Sequence, residues 1–159
     1  MISPPESVVI ELAGLPATRE LAECLARIVK PGDILALYGD LGVGKSQMAR
    51  WFIRALTNET EEVPSPTFTL LQTYESDVGD ICHFDLYRLE RAEDAFELGI
   101  EDAFHDSISI IEWPDRLGPY LPRNRLDIHL KVTKGKNHRQ AILTPHANWS
   151  ERLRDCGHG

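Results

Sequence analysis

Gly39-Asp40-Leu41-Gly42-Val43-Gly44-Lys45-Ser46 is a complete G-x-x-x-x-G-K-[ST] octapeptide, and the segments flanking it are of the kinds such a loop joins. Before it runs Asp33-Ile34-Leu35-Ala36-Leu37-Tyr38, a continuous apolar stretch of the length of a buried strand. After it, Gln47 to Leu56 places Met48, Phe52, Ala55 and Leu56 on one helical face. A glycine-rich turn from strand into helix lets successive backbone N–H groups point inward around a phosphate, an approach that side chains would block. The following helix aims its positive N-terminal end at the same place. Leu41, Gly42, Val43, Gly44, Lys45 and Ser46 therefore read as a phosphate cradle, with Lys45 reaching the β and γ oxygens and the Ser46 hydroxyl offered to a metal. The expected ligand is a nucleoside triphosphate with magnesium.

Composition narrows the partners. At 159 residues and 42% hydrophobic content, the chain suits one core and is short for two, so a single domain over 1–159 with a short tail from about 147 is expected. The formal net charge of −8 argues against holding nucleic acid directly, because Lys and Arg neutralising phosphates supply most of that affinity. Cys24, Cys82 and Cys156 are odd in number and lack paired metal or redox spacing, and they read as reduced thiols of a cytoplasmic protein. The amino terminus has no basic segment followed by an apolar one, and no apolar run approaches membrane-spanning length.

Outward from the loop, Ser7 to Leu12 reads as a first strand, and Thr18 offers an N-cap to a helix striped by Leu21, Leu25, Ile28 and Val29 and ended by Pro31-Gly32. Leu70–Tyr74 and Asp80–Phe84 flank a turn and predict a hairpin. Ala92 to Phe104, interrupted at Gly99, predicts two short helical pieces, and Ser107 to Ile111 a buried strand. Arg125–Val132 and His138–Leu143 predict a second hairpin, and Asn148 with Glu151 a capped terminal helix. The expected architecture is α/β, a mixed sheet of the P-loop NTPase kind with helices on both faces.

Phosphoryl transfer also needs a second carboxylate for the metal and a group to orient the nucleophile. Two apolar strands end in acids: Ile81-Cys82-His83-Phe84-Asp85 and Ile108-Ser109-Ile110-Ile111-Glu112. Ligands of open α/β sheets lie at the carboxyl ends of the strands, where Asp85 and Glu112 would meet the loop. Their context is similar, which leaves the division of roles between them open. The hydroxyl of Thr67, in Ser65-Pro66-Thr67, is placed to sense a γ-phosphate as switch segments do. His83 and Tyr87 suit packing or surface positions at least as well as the site.

Taken in order, the octapeptide, Ser65-Pro66-Thr67-Phe68-Thr69-Leu70, His83-Phe84-Asp85-Leu86-Tyr87-Arg88 and Glu112-Trp113-Pro114 resemble the motifs of the TsaE (YjeE) family, from about Leu12 to Leu143. The resemblance implies a small ATPase of bacterial tRNA threonylcarbamoyladenosine synthesis. It would associate with TsaB and TsaD, which carry out the group transfer, and meet tRNA only through that complex. It implies phosphates held by Lys45 and the backbone of Leu41 to Ser46, magnesium held by Ser46 and Glu112, water positioned or activated by Asp85, and Thr67 reporting on the γ-phosphate. Trp113 would lie near the nucleotide or the partner surface. The base would lie against Leu15-Pro16-Ala17-Thr18, with Leu15 and Ala17 in contact, and near Lys136. Where the family often has G-K-T-T, this chain has Gly44-Lys45-Ser46-Gln47, which keeps the metal hydroxyl and removes a second one.

A GTPase would carry an N-K-x-D motif for guanine, and the sequence contains none. A small-molecule kinase would need phosphate clamps, for which Arg116, Arg123 and Arg125 are the candidates, although Arg123 and Arg125 also suit a solvated strand edge. An assembly subunit that binds ATP without essential turnover would use the same loop.

Overall fold

The structure is a computed structural model and describes residues 6–133, 135 and 137–156. Strand β1 (Val8–Ala13) leads into helix α1 (Leu15–Ile28), and β2 (Ile34–Tyr38) leads through the glycine-rich loop into α2 (Lys45–Leu56). The hairpin β3 (Leu71–Tyr74) and β4 (Ile81–Asp85) follows, then α3 (Ile100–Asp106), β5 (Ile108–Glu112), the hairpin β6 (Leu126–Val132) and β7 (His138–Pro145), and a last turn α4 (Trp149–Arg152). The piece expected before Gly99 is a 3-10 helix, Ala92–Leu98, and Gly99 separates it from α3 at a φ of 76°.

All seven strands form one sheet in the order β1-β7-β6-β2-β5-β4-β3. β2 runs parallel to both β5 and β6, and β5 parallel to β4, whereas the two hairpins and the β1–β7 pair are antiparallel. β2 is thus central, and its apolar run is covered on both faces, as parallel strands require. Leu35 and Leu37 face one core with Ile110, Ile128 and the apolar stripes of α1 and α2. Ile34 faces the other with Phe84, Ile111, Ile100 and Leu117. Period-two alternation along each strand divides the residues between the two cores.

Two expected caps are corrected. α1 begins at Leu15, three residues before Thr18, which is buried within the helix. Pro16 in the first turn has its φ already set for a helix, and Gly14 makes the turn into it at φ 87°. Asn148 does precede α4 but caps nothing with its side chain. That turn is held by tertiary contacts: Trp149 is fully buried, and Arg152 donates to Asp33 Oδ1 at 2.6 Å and to the Ile28 carbonyl at 2.8 Å.

The cysteine expectation is also corrected. Cys24 on α1 and Cys156 beyond α4 are joined as a disulfide with a Cα–Cα distance of 5.8 Å, while Cys82 is buried and unpaired. The packing of the last turn against α1 brings together residues 132 apart, which no local spacing could signal. Among the described residues no helix is long and apolar enough to cross a membrane.

Candidate functional site

The glycine-rich loop leaves β2 through backbone that only glycine adopts at ease, with φ of 145° at Gly39, 80° at Gly42 and 116° at Gly44. At Gly39 a Cβ would come within 2.7 Å of both the Leu130 carbonyl oxygen and Val43 Cγ1. Open space surrounds Gly42 and Gly44. The loop is pinned from outside by Arg139 on β7, whose Nε donates to the Val43 carbonyl at 2.9 Å. α2 then starts at Lys45, directing its N-terminal amides toward the hollow above the strand ends.

Sheet register brings the two acids to that hollow. Glu112 is the partner of Leu37 across β2–β5 and of Asp85 across β4–β5, so the phosphate-loop strand and both acidic strands end side by side. Glu112, 2% exposed, accepts a 2.7 Å hydrogen bond from Ser46 Oγ on Oε1. Its other oxygen, Oε2, lies 2.7 Å from Nε2 of the equally buried His83. Asp85 accepts from the Tyr87 backbone N–H on Oδ1 at 3.1 Å and from Thr67 Oγ1 on Oδ2 at 3.4 Å. Thr67 is in turn 2.7 Å from Ser65 Oγ. Burial pushes the Asp85 carboxyl above the usual carboxylate range, and the Glu112 charge adds to that, while the Tyr87 hydrogen bond opposes it.

Lys45 is almost wholly buried, and its Nζ donates to the Gly39 carbonyl and lies 3.6 Å from the centroid of the Trp113 ring. Burial lowers the lysine below its ordinary value, against the pull of Glu112 and Asp85. Trp113 itself sits at φ 60°, just past the end of β5, with its ring 4.9 Å from that of Tyr87. Gly42, Lys45, Ser46, Thr67, Asp85, Glu112 and Trp113 all line one cavity of about 440 Å³. Leu41 and Gly44 line it too.

Other expected positions fall elsewhere. Val43 is buried and does not line the cavity, its carbonyl accepting from Arg139 on the outer side of the loop. Leu15 and Ala17 occupy the first turn of α1 and do not line the cavity. Lys136 lies outside the described residues. Of the arginines suggested as clamps, Arg125 is paired with Asp127 at 2.8 Å and Arg116 lies 5.7 Å from the Tyr87 ring. None of Arg116, Arg123 and Arg125 lines the cavity.

Arg88 and His83, neither of which the sequence assigned to the site, do adjoin it. Arg88 lines the cavity, its guanidinium 4.5 Å from the ring of the exposed Phe68. His83 is joined to Glu112, and strand parity was the available signal: residues 83 and 85 project from the same face of β4.

The ligand chemistry suits magnesium. A hydroxyl and a carboxylate oxygen are hard donors, and Mg²⁺ takes one or two protein oxygens while keeping waters and substrate phosphates for the rest. Among the described residues no group of three or more His, Cys, Asp or Glu forms a separate cage. One lysine and α2's N-terminal amides facing two acids are chemically suited to phosphate oxygens with a water beside them.

The central parallel strands and the loop between β2 and α2 define an α/β protein of the P-loop NTPase kind. Comparison with known proteins narrows the class. The family described as Threonylcarbamoyl adenosine biosynthesis protein TsaE matches residues 12–141, and the chain belongs to that family. It is 37% identical over 134 residues to the tRNA threonylcarbamoyladenosine biosynthesis protein TsaE of Rickettsia conorii, covering 84% of this chain and 77% of that one. A protein of the same name from Bacillus subtilis is 36% identical over 137 residues, 86% of this chain and 84% of that one. The crystal structure of Bacillus subtilis YdiB superposes with a TM-score of 0.81 at 26% identity, over 98% of this chain and 97% of that one.

Proposed function

We propose that this chain is a magnesium-dependent ATPase required for threonylcarbamoyladenosine formation in tRNA, acting in the cytoplasm with TsaB and TsaD and hydrolysing ATP without transferring the group itself. The backbone amides of Leu41 to Ser46 and the Lys45 ammonium hold the phosphates. The Ser46 hydroxyl and Glu112 hold magnesium, which when bound draws charge from the phosphate oxygens. Asp85, whose raised pKa suits it to proton transfer nearer neutrality, orients the attacking water and accepts its proton. Thr67, hydrogen-bonded to Asp85, links that acid to the γ-phosphate. Trp113 borders the phosphate side of the nucleotide, while Leu15, Ala17 and Lys136 bound the base. The acidic chain meets tRNA only through its partners.

The observation that carries this proposal is the 2.7 Å contact of Ser46 Oγ with Glu112 Oε1, which brings together the two residues proposed to hold the metal, with Asp85 as the neighbour of Glu112 in register. The test is ATP hydrolysis by the protein alone and with TsaB, TsaD and tRNA. Stimulation by the partners that Lys45→Ala and Glu112→Ala both abolish is the expected result. Nucleotide-dependent association with no turnover would replace the ATPase with an assembly subunit, and a phosphorylated small-molecule acceptor would replace it with a kinase.

A further inference from the structure

His83 makes a buried contact with Glu112, and the proposed chemistry leaves the histidine unused. His83 is 1% exposed and Glu112 2%, and Nε2 lies 2.7 Å from Oε2. Glu112 Oε1 accepts from Ser46 Oγ, so the two carboxylate oxygens are divided between an inner contact and one at the loop. His83 Nδ1 is buried with no hydrogen-bond partner among the described residues. An N–H at that position would be stranded, and the geometry therefore fits the tautomer that carries its proton on Nε2 and donates it to Glu112. A carboxylate ligand with one free torsion at its tip spreads over several orientations, and fixing one oxygen aims the other. Outer hydrogen bonds of this kind orient metal ligands and tune their affinity.

We infer that His83 is a positioning residue for the metal site: by donating Nε2–H to Glu112 Oε2 it fixes the carboxylate so that Oε1 faces Ser46 and a divalent cation. The inference rests on the metal-ligand roles proposed above for Ser46 and Glu112. It concerns metal affinity, and leaves the phosphate contacts of the loop unaffected. The surroundings of His83 agree with a role beyond packing, because an apolar side chain of similar size would satisfy the interior without adding an unpartnered Nδ1.

The experiment is titration of Mn²⁺, read by the electron paramagnetic resonance of the free ion, with a non-hydrolysable ATP analogue present, together with analogue binding in EDTA. His83→Leu is expected to weaken Mn²⁺ binding about tenfold or more, the scale of such outer contacts, and to leave binding in EDTA unchanged. His83→Gln, whose side-chain amide N–H₂ reaches toward the same oxygen, is expected to recover most of the loss. It also serves as the folded variant if His83→Leu is unstable. Wild-type Mn²⁺ affinity in His83→Leu, or an equal loss in both variants, would overturn the inference while leaving the ATPase proposal intact. If the wild type binds no Mn²⁺, or if Glu112→Ala binds it as the wild type does, the metal site proposed above fails and this inference fails with it.

Discussion

The Lys45 ammonium lies over the face of Trp113, 3.6 Å from the ring centroid, while donating a hydrogen bond to the Gly39 carbonyl. The cation is thus satisfied inside the protein by groups that a phosphate would have to replace. A desolvated cation–π contact stabilises by about 2 kcal/mol, comparable to one charge-assisted hydrogen bond, and a triphosphate offers the three ammonium protons more than one such bond. Nucleotide binding should draw Lys45 off the ring. The expected readout is a change in tryptophan emission on adding ATP that is lost in Trp113→Phe. The signal is expected to survive in Trp51→Phe, whose ring borders a separate hollow between α1 and α2.

Ser46→Ala removes the hydroxyl that meets Glu112 and should weaken nucleotide binding only where metal contributes. A loss of about tenfold with magnesium, or about 1.4 kcal/mol, is expected by calorimetry, and none in EDTA. An equal loss under both conditions would assign the hydroxyl to the phosphates.

Asp85 gives a pH-dependent signature. Its folded pKa is raised by burial, so the folded state holds the proton more tightly than the unfolded chain, and ionisation costs stability. That cost is fully present above the folded pKa and gone below the ordinary value of about 3.9. Asp85→Asn can keep the bond from the Tyr87 N–H and should melt at a higher temperature than the wild type at pH 7.5, with the gap closing on acidification. Hydrolysis should fall roughly 10²- to 10⁴-fold, as for loss of a general base. A variant less stable than the wild type at neutral pH would contradict the assignment.

Gly39→Ala tests the turn that begins the phosphate loop. The new Cβ would meet the Leu130 carbonyl and Val43 Cγ1 at 2.7 Å, on backbone at φ 145°. A loss of about 1–3 kcal/mol is expected from urea unfolding, the range for strained backbone. Gly42→Ala, where the space is open, should carry only the conformational part of that loss.

The Cys24–Cys156 disulfide closes nearly the whole chain into a loop. Bonds of this kind stabilise by about 2–4 kcal/mol, or roughly 5–15 °C in a chain of this size. Dithiothreitol should lower the melting temperature of the wild type by that amount and leave Cys156→Ser unmoved. ATP affinity should be the same in both, because the bond joins α1 to the far end of the chain and touches nothing that lines the site.

The strand, loop and helix from Asp33 to Leu56 were legible because each piece is dictated locally: an apolar run, glycines where φ turns positive, and an amphipathic stripe. Asp85 and Glu112 were legible as the last residues of two apolar strands, and their register confirms that they adjoin. The order of the strands was not, because no local pattern marks Val8 as the partner of Leu143. Thr18 was misread as a cap because Pro16 starts the helix a turn sooner. The disulfide and the Arg152–Asp33 pair depend on how α4 seats against α1, and His83 was hidden because its partner lies on another strand.

The sheet order also bears on how the chain emerges from the ribosome. β1 is made first, yet it pairs with β7, and one side of β2 waits for β6. A nascent chain that stops before residue 126 has made every residue of the cavity but lacks the strand beside the phosphate loop and the Arg139 that pins Val43. Assembly of the proposed nucleotide site is therefore deferred to the last stage of synthesis, and its contacts span most of the chain, the topology that folds slowly. A polypeptide cut short before its final hairpin would leave unpaired strand edges in place of a working site.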